Sequence, residues 1–527
     1  MTEKVIALNI KPGIQRDGTL FDAPVYVDGQ WVRFQRGRPR KIGGYRDIFQ
    51  NASGISRGMI MNSQDGLNYV YSGWSNGVQE WVTDDDDGVG SGPTNIALTD
   101  FTSSAQNLWQ FDIGYDSNGA GANTIVGHPG LNLRHIDNTI DTPVLIGNFP
   151  TGAMSAVKDT AGTTPTGATI SVSGGCTFLH PYLFVYGNDG LIKNCSAGNF
   201  QDWNSADANE NNVATGKIVK GMPVRGGTTS PSGLFWSLDS LIRVSYAPQT
   251  VGASTTFWKY DIISSQTSIL SSSSVIEYDG IFLWCGVDRF LMYNGVVQEL
   301  PNQMNLNHFF DNLNYSQRQK VWASKVPRWG EIWWFYPKGD ATECTDAVIF
   351  NVREKVWYDA GEALGAHRSA GTFSEVFRKP IWAGTDANSS SKYALWQHET
   401  GVNVVENSVQ SAVLSYFETN NIGWVTGGPG ADQPMGQNRW ADLSRIEPDF
   451  IQSGEMSVIV TGKGYANDED VASDPYYFDP DTLKIDLREQ RREMRLRFQS
   501  NVVNGNYETG QNMLSIDVGD ERGTGNP

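Results

Sequence analysis

The 527-residue sequence predicts an all-β protein: an irregular β-propeller with a β-sandwich-like platform domain and one short helical insertion. Three observations predict it. Gly is frequent (57), aromatics reach 11% with 17 Trp, and only 19% of residues are charged, which suits short strands and turns better than long surface helices. Apolar and aromatic runs are broken again and again by Asn-Gly, Asp-Gly or Asp-Ser, residues that tolerate the positive φ of tight hairpin turns. The central runs also recur. With Phe184, Phe235, Phe282, Trp333 and Trp382 as aromatic anchors, successive gaps are about 50 residues, the period of propeller blades.

Residues 1–55 read as a basic N-terminal platform segment. Residues 1–50 carry a net +4, so the remainder of this −18 chain carries −22. In "WVRFQRGRPRKIGGY", Arg33, Arg36, Arg38, Arg40 and Lys41 cluster around a Gly-Arg-Pro turn. Arginine forks suit carboxylates and phosphates alike. Docking on an acidic neighbour, DNA phosphate contact and a solvated hairpin all fit this pattern. "REQRREMRLRFQS", with Arg488, Arg491 and Arg492, poses the same choice, and these eight cations form the candidate assembly interface.

Residues 56–400 read as the propeller body. "LNYVYSGWSNGVQEWV", "PYLFVYGNDGLIKNCS", "GLFWSLDSLIRVSYA" and "YDGIFLWCGVDRFLMYNG" are hairpins, followed by "EIWWFYPKG" with "DAVIFNVREKVWYD" and "KPIWAGTD" with "KYALWQHE". Inner blade strands are covered on both faces, so they read as continuous apolar runs rather than alternating ones. Two earlier units, around Tyr71 and Trp109, are less regular. Seven units fit the spacing; six, or an open ring, fit nearly as well. In "NLNHFFDNLNYSQRQKVW", Leu306, Phe309, Phe310 and Leu313 recur at helical spacing, which predicts a helical insert near 304–322. Residues 401–527 read as the C-terminal platform domain. The break "TGGPGADQPMGQ" is followed by alternating strands with one wet face, and "AVLSYFET" (412–419) is assigned to the same sheets.

Candidate chemistry is sparse. "GISRG" (54–58) matches a nucleophile elbow, but no strand-to-helix context surrounds it, and "SAVK" (155–158) lacks the partner motifs of its class. The six histidines show no HxxxH or HExxH spacing. The acidic run Asp84–Asp87 lacks the alternating ligands of a calcium loop and reads as a solvated loop. "NCSAGNFQDWN" shares Ser196 and Trp203 with the ends of an Asp box but lacks its Asp-x-Gly centre, so Trp203 reads as a sixth structural aromatic anchor. Asp288 and Arg289 read as a hairpin corner. Cys176, Cys195, Cys285 and Cys344 form no CxxC pair, as expected of a protein assembled in reducing cytoplasm. No signal peptide or membrane segment is expected. The acidic total argues against a general nucleic-acid binder.

Three stretches carry a family resemblance. "KPGIQRDGT…WVRFQRGRPRKIGGY", "SSSVIEYDGIFLWCGVDRFLMYNGVVQELPN" with "FFDNLN", "VPRWGEIWWFYP" and "AVIFNVREKVWYD", and "MRLRFQSN…YETGQNMLSIDVGD" resemble, in order, the opening, middle and close of tail tube and nozzle proteins of short-tailed bacteriophages. Residues of roughly 83 to 170 resemble nothing in that family. The resemblance implies a virion structural protein of the tail, assembled in the host cytoplasm as a homo-oligomer, a hexameric ring below the portal and adaptor. The ring would retain packaged DNA, contact it transiently during ejection, and dock fibres, spikes or a needle. An acidic lumen would let the duplex slide without sticking. No enzymatic activity, cofactor or metal is expected. The alternative expectation is a glycan-binding or glycan-cleaving propeller acting on the host surface.

Overall fold

A computed structural model describes residues 4–20, 24–64, 67–83, 90–97, 108–115, 123–128, 134–137, 144–146, 173–199, 203, 205–224, 230–252, 254–373, 378–423, 439–465 and 467–521. The Asp84–Asp87 run, "SAVK" and "TGGPGADQPMGQ" lie outside these residues.

The protein is all-β. Seven four-stranded antiparallel units follow one another along the chain, and six of them are meanders of four consecutive strands. Their first strands are Gly58–Gln64, Gln110–Tyr115, Gly175–Leu179, Ile218–Val224, Ile276–Tyr278 and Trp322–Val326. The seventh takes Arg368–Phe373, Pro380–Ala387 and Tyr393–His398, then borrows Tyr45–Ala52 from the N-terminal segment as its fourth strand. Val404–Glu406 adds to Tyr45–Ala52 in parallel and turns back as Val409–Ser411.

The recurring anchors fall at equivalent places. Phe184, Phe235, Phe282, Trp333 and Trp382 each sit on the second strand of their sheet, and each is at most 2% exposed. Trp203 lies buried between the third and fourth strands of the third sheet. Second strands are covered on both faces, as their apolar runs require: Tyr182–Tyr186 and Glu331–Tyr336 are buried at every position. Most first strands touch the first strand of the next sheet, and the fourth's meets the 3-10 turn Ser272–Ser274 just before the fifth sheet. The first sheet's touches the second's, the second's the third's, the third's the fourth's, the fifth's the sixth's, the sixth's the seventh's, and the seventh's returns to the first.

The insert before the sixth sheet forms a helix, Leu306–Asn312, and a 3-10 turn, Tyr315–Lys320. Phe309 is buried against Phe290 and Tyr336. The helix has no side-chain cap of its own at Asn305. Asp17 supplies one from the N-terminal segment, its carboxylate accepting from the N–H groups of Asn307 (2.9 Å) and His308 (2.8 Å).

Both chain ends build the remaining sheets. Lys4–Ala7 pairs with Met513–Glu521, which pairs with Arg439–Glu447 and onward to Ile485–Arg491. Asp28–Gln30 pairs with Ser415–Glu418, then Glu493–Ser500 and Met456–Lys463. The hairpin Val32–Gln35/Arg38–Lys41 extends Phe450–Ser453/Asn506–Thr509. One hydrophobic core joins these sheets to the sixth and seventh: Phe498, Leu496 and Ile446 belong to the same cluster as Trp31, Trp333 and Trp382. No helix among the described residues is long and apolar enough to cross a membrane.

Candidate functional site

The basic hairpin is the natural place to start. Its strands meet at Arg36 and Gly37, both at positive φ (51° and 71°), so the turn is tight and its flanking side chains alternate between faces. The inward face buries charge. Arg33, 1% exposed, forks onto Glu331 at 2.7 and 3.1 Å and onto Glu399 at 2.8 and 2.6 Å. Glu331 also accepts from the Tyr358 hydroxyl (2.8 Å) and the Trp333 indole (3.0 Å), and Glu399 accepts from the Trp329 indole (2.8 Å). Burial alone would make the Arg33 guanidinium less basic; the charges of Glu331 and Glu399 outweigh it and hold it above the usual range. Burial likewise opposes ionisation of Glu399, and Arg33 reverses that. Arg33 thus joins the N-terminal hairpin to the sixth sheet and to the loop after the seventh.

The other seven cations divide by exposure. Lys41 is buried and donates to the Gly505 carbonyl at 2.7 Å, and burial lowers its pKa to about 8. Arg38 donates to the Gly510 carbonyl (3.2 Å), and Arg40 pairs with Glu508 (3.0 Å) over the Trp329 ring. Arg491 pairs with Glu489 at 3.0 Å. Arg492 is buried between the rings of Trp440 and Tyr465. Arg36 and Arg488 are exposed. Most of the basic run is therefore spent inside the chain, tying its two ends to the body, and Arg36 and Arg488 are the members of the set left on the surface.

A second N-terminal tie gives no sequence signal. Arg16 forks onto Asp359 at 2.7 and 2.9 Å and also pairs with Asp28. Nothing local marks Arg16 or Glu331 as partners of residues hundreds of positions away.

The catalytic patterns resolve into structure. Ser56 of "GISRG" is buried, accepting from the Ser72 hydroxyl (2.8 Å) and donating to the Gly58 carbonyl (3.2 Å). At the fifth-sheet hairpin tip, Arg289 forks onto the exposed Asp288 at 3.0 and 2.9 Å. That hydrogen bond holds the Asp288 carboxyl below its usual range. Ser196 donates to Asp207 at 3.2 Å, so Asp207 organises the loop that resembles an Asp box. All four cysteines are buried. Among the described residues, no group of His, Cys, Asp and Glu is placed to hold a metal ion.

Several of the first strands border a small, partly open cavity of about 170 Å³. Gly58, Gln110, Lys220, Val275, Ala323 and Gly371 line it, drawn from strands of five sheets and from the residue just before the fifth sheet. Arg57 and Lys320 also reach it. Both are bound to Glu343, Arg57 through two contacts of 2.7 Å and Lys320 through one of 2.9 Å.

No known family model matches the sequence, and no curated protein is significantly similar to it.

Proposed function

We propose that the chain is a virion structural protein, one subunit of the tail nozzle of a short-tailed bacteriophage, built on a seven-bladed β-propeller with a β-sandwich-like platform. Two findings support the propeller: first-strand contacts in six of the seven neighbouring pairs a ring needs, and the completion of the last sheet by Tyr45–Ala52. A ring whose last unit takes a strand from the chain's beginning resists opening, because separating the ends breaks a whole ladder of hydrogen bonds.

The observation that carries the reading is the single core running from the platform sheets into the sixth and seventh units, fixed by the buried Arg33. It makes body and platform one stiff piece, which a mechanical conduit needs. The axial cavity is far too small for a duplex, whose major groove alone is about 12 Å wide. DNA would therefore pass through the centre of a ring of copies, along surfaces of an acidic protein that repel phosphates. Adaptor proteins would meet the platform, with fibres, spikes or a needle on other faces.

Electron microscopy of the purified protein with its adaptor tests this. A six-fold ring is expected. A monomer that ignores the adaptor but adsorbs to host cells, or that turns over host polysaccharide until one carboxylate is replaced, would overturn it in favour of the glycan-directed alternative. Arg36→Glu combined with Arg488→Glu should block joining of the tail while leaving the monomer folded, since both side chains are exposed.

A further inference from the structure

The axial cavity concentrates positive charge in a protein of net charge −18. Arg57, Lys220 and Lys320 line it, and among the described residues no Asp or Glu does. Arg57 and Lys320 are 6% and 8% exposed and share a single carboxylate, Glu343. The Lys220 side chain makes no hydrogen bond or ion pair with any described residue, while its backbone sits opposite Trp236 in the fourth sheet.

The Asp112 charge acts on Lys220 with no hydrogen bond or ion pair between them, and Asp112 is already committed. Its carboxylate accepts from the Thr177 hydroxyl (3.0 Å), the Phe178 N–H (2.7 Å) and the Ile113 N–H (2.8 Å). Burial holds the Asp112 carboxyl above its usual range, and makes the Lys220 ammonium less basic, though the Asp112 charge partly restores it. With Glu343 and Asp112 both counted against the three cations, one positive charge is left over. Lys220 is partly exposed, and a cation in a cavity wall without a hydrogen-bonded counter-charge attracts an anion that enters.

We propose that this cavity is a binding site for a phosphate-type oxyanion, free or as a small phosphomonoester, held by Lys220 with Arg57 and Lys320 beside it. Shape and chemistry agree on that class. The lining residues arrive from around a ring rather than from one edge, which suits a tetrahedral anion accepting from several sides better than a planar carboxylate. Ser273 and Gln319 add neutral polar groups to the wall. The volume admits one small anion and excludes a polymer. Lysine serves phosphate as a point charge, without the bidentate geometry that arginine gives carboxylates. An anion seated here would bridge several sheets at the axis and stiffen the ring. The proposal stands on the cavity and does not depend on the nozzle reading.

Titration calorimetry of the full chain with inorganic phosphate, at ionic strength held constant with sodium chloride, tests the proposal. Saturable binding at one site per chain is expected. Lys220→Gln, which breaks no hydrogen bond or ion pair among the described residues, should weaken it at least tenfold, and Lys220→Arg should restore most of it. Circular dichroism without phosphate should be the same for all three proteins. Glycerol 2-phosphate competing with phosphate would assign a phosphomonoester, and failure to compete would assign the free ion. Heat no greater than that of chloride, or unchanged phosphate binding by a folded Lys220→Gln protein, would overturn the proposal.

Discussion

At the Arg33 centre one guanidinium meets two carboxylates, which also accept from two indole N–H groups and a phenol; at the Lys220 cavity three cations stand near one carboxylate that is bound to two of them. The Arg33 centre is buried and the cavity is partly open, and both join strands far apart in sequence. They differ in what is left over. Around Arg33 every charge has partners in the same chain, so the arrangement is complete as it stands and acts as a structural tie. Around the cavity the charge is uneven, and the Lys220 side chain has no hydrogen-bond or ion-pair partner among the described residues. Buried charge by itself therefore does not mark a binding site. The unmatched part of it does.

Breaking the Arg33 centre should have the largest effect. Arg33→Met removes the cation that compensates Glu331, which is fully buried, and Glu399. A loss of about 3–5 kcal/mol is expected, read by urea denaturation. Replacing Arg33, Glu331 and Glu399 together by apolar residues should recover much of it, and a triple variant no better than the single one would show that the comparison misplaces the cost.

The axial cavity responds differently. Glu343→Gln leaves Arg57 and Lys320 without their carboxylate, at a cost of about 1–3 kcal/mol since Glu343 is partly exposed. The same change should tighten phosphate binding several-fold, so stability and affinity move in opposite directions. Weaker binding in this variant would contradict the charge argument. Burial opposes ionisation of Glu343, but Arg57 and then Lys320 outweigh it and hold its carboxyl below the ordinary value of 4.5. Its stabilising contribution is therefore present above that pH and is lost as pH falls through the lowered value.

Arg368 sharpens the comparison as another buried cation. It donates through Nε to His398 Nε2 at 2.9 Å and lies between the rings of Tyr45 and Trp396, and burial lowers its pKa to about 10. Burial, then the Arg368 charge, push His398 well below its ordinary 6.5, so it stays neutral in the fold. The unfolded chain takes up that proton first as pH falls below 6.5, so stability should decline between pH 7 and 5 by less than the two losses above. His398→Gln should flatten that decline, and an unchanged slope would remove His398 as its cause. The smallest effect is expected at the exposed fifth-sheet corner, where Arg289→Ala should change stability by under about 0.5 kcal/mol in thermal melts.

Much of the architecture was legible locally. The runs around Phe184, Phe235, Phe282, Trp333 and Trp382 each mark a second strand, because a strand covered on both faces must be apolar at every position. Asn76-Gly77, Asn188–Gly190 and Asp239-Ser240 stand at the connections they signal, because turns need particular backbone conformations whatever surrounds them. The helical insert was readable from the spacing of Leu306, Phe309 and Leu313, although its cap, Asp17, was not. The basic run was legible as charge and illegible as placement: nothing in "WVRFQRGRPRK" says that Arg33 turns inward and Arg36 outward until the hairpin has its sheet.

By itself the sequence determined the strands, the turns and the period, since these rest on side-chain alternation and on φ preferences within a few residues. Only the tertiary structure decided that Tyr45–Ala52 leaves the N-terminal segment to complete the seventh sheet, and that Arg33 finds Glu331 and Glu399. It also decided that Arg57, Lys220 and Lys320 come together at one cavity. Pairings across hundreds of residues depend on which surfaces remain uncovered once the local elements have formed, and no short stretch of chain records that.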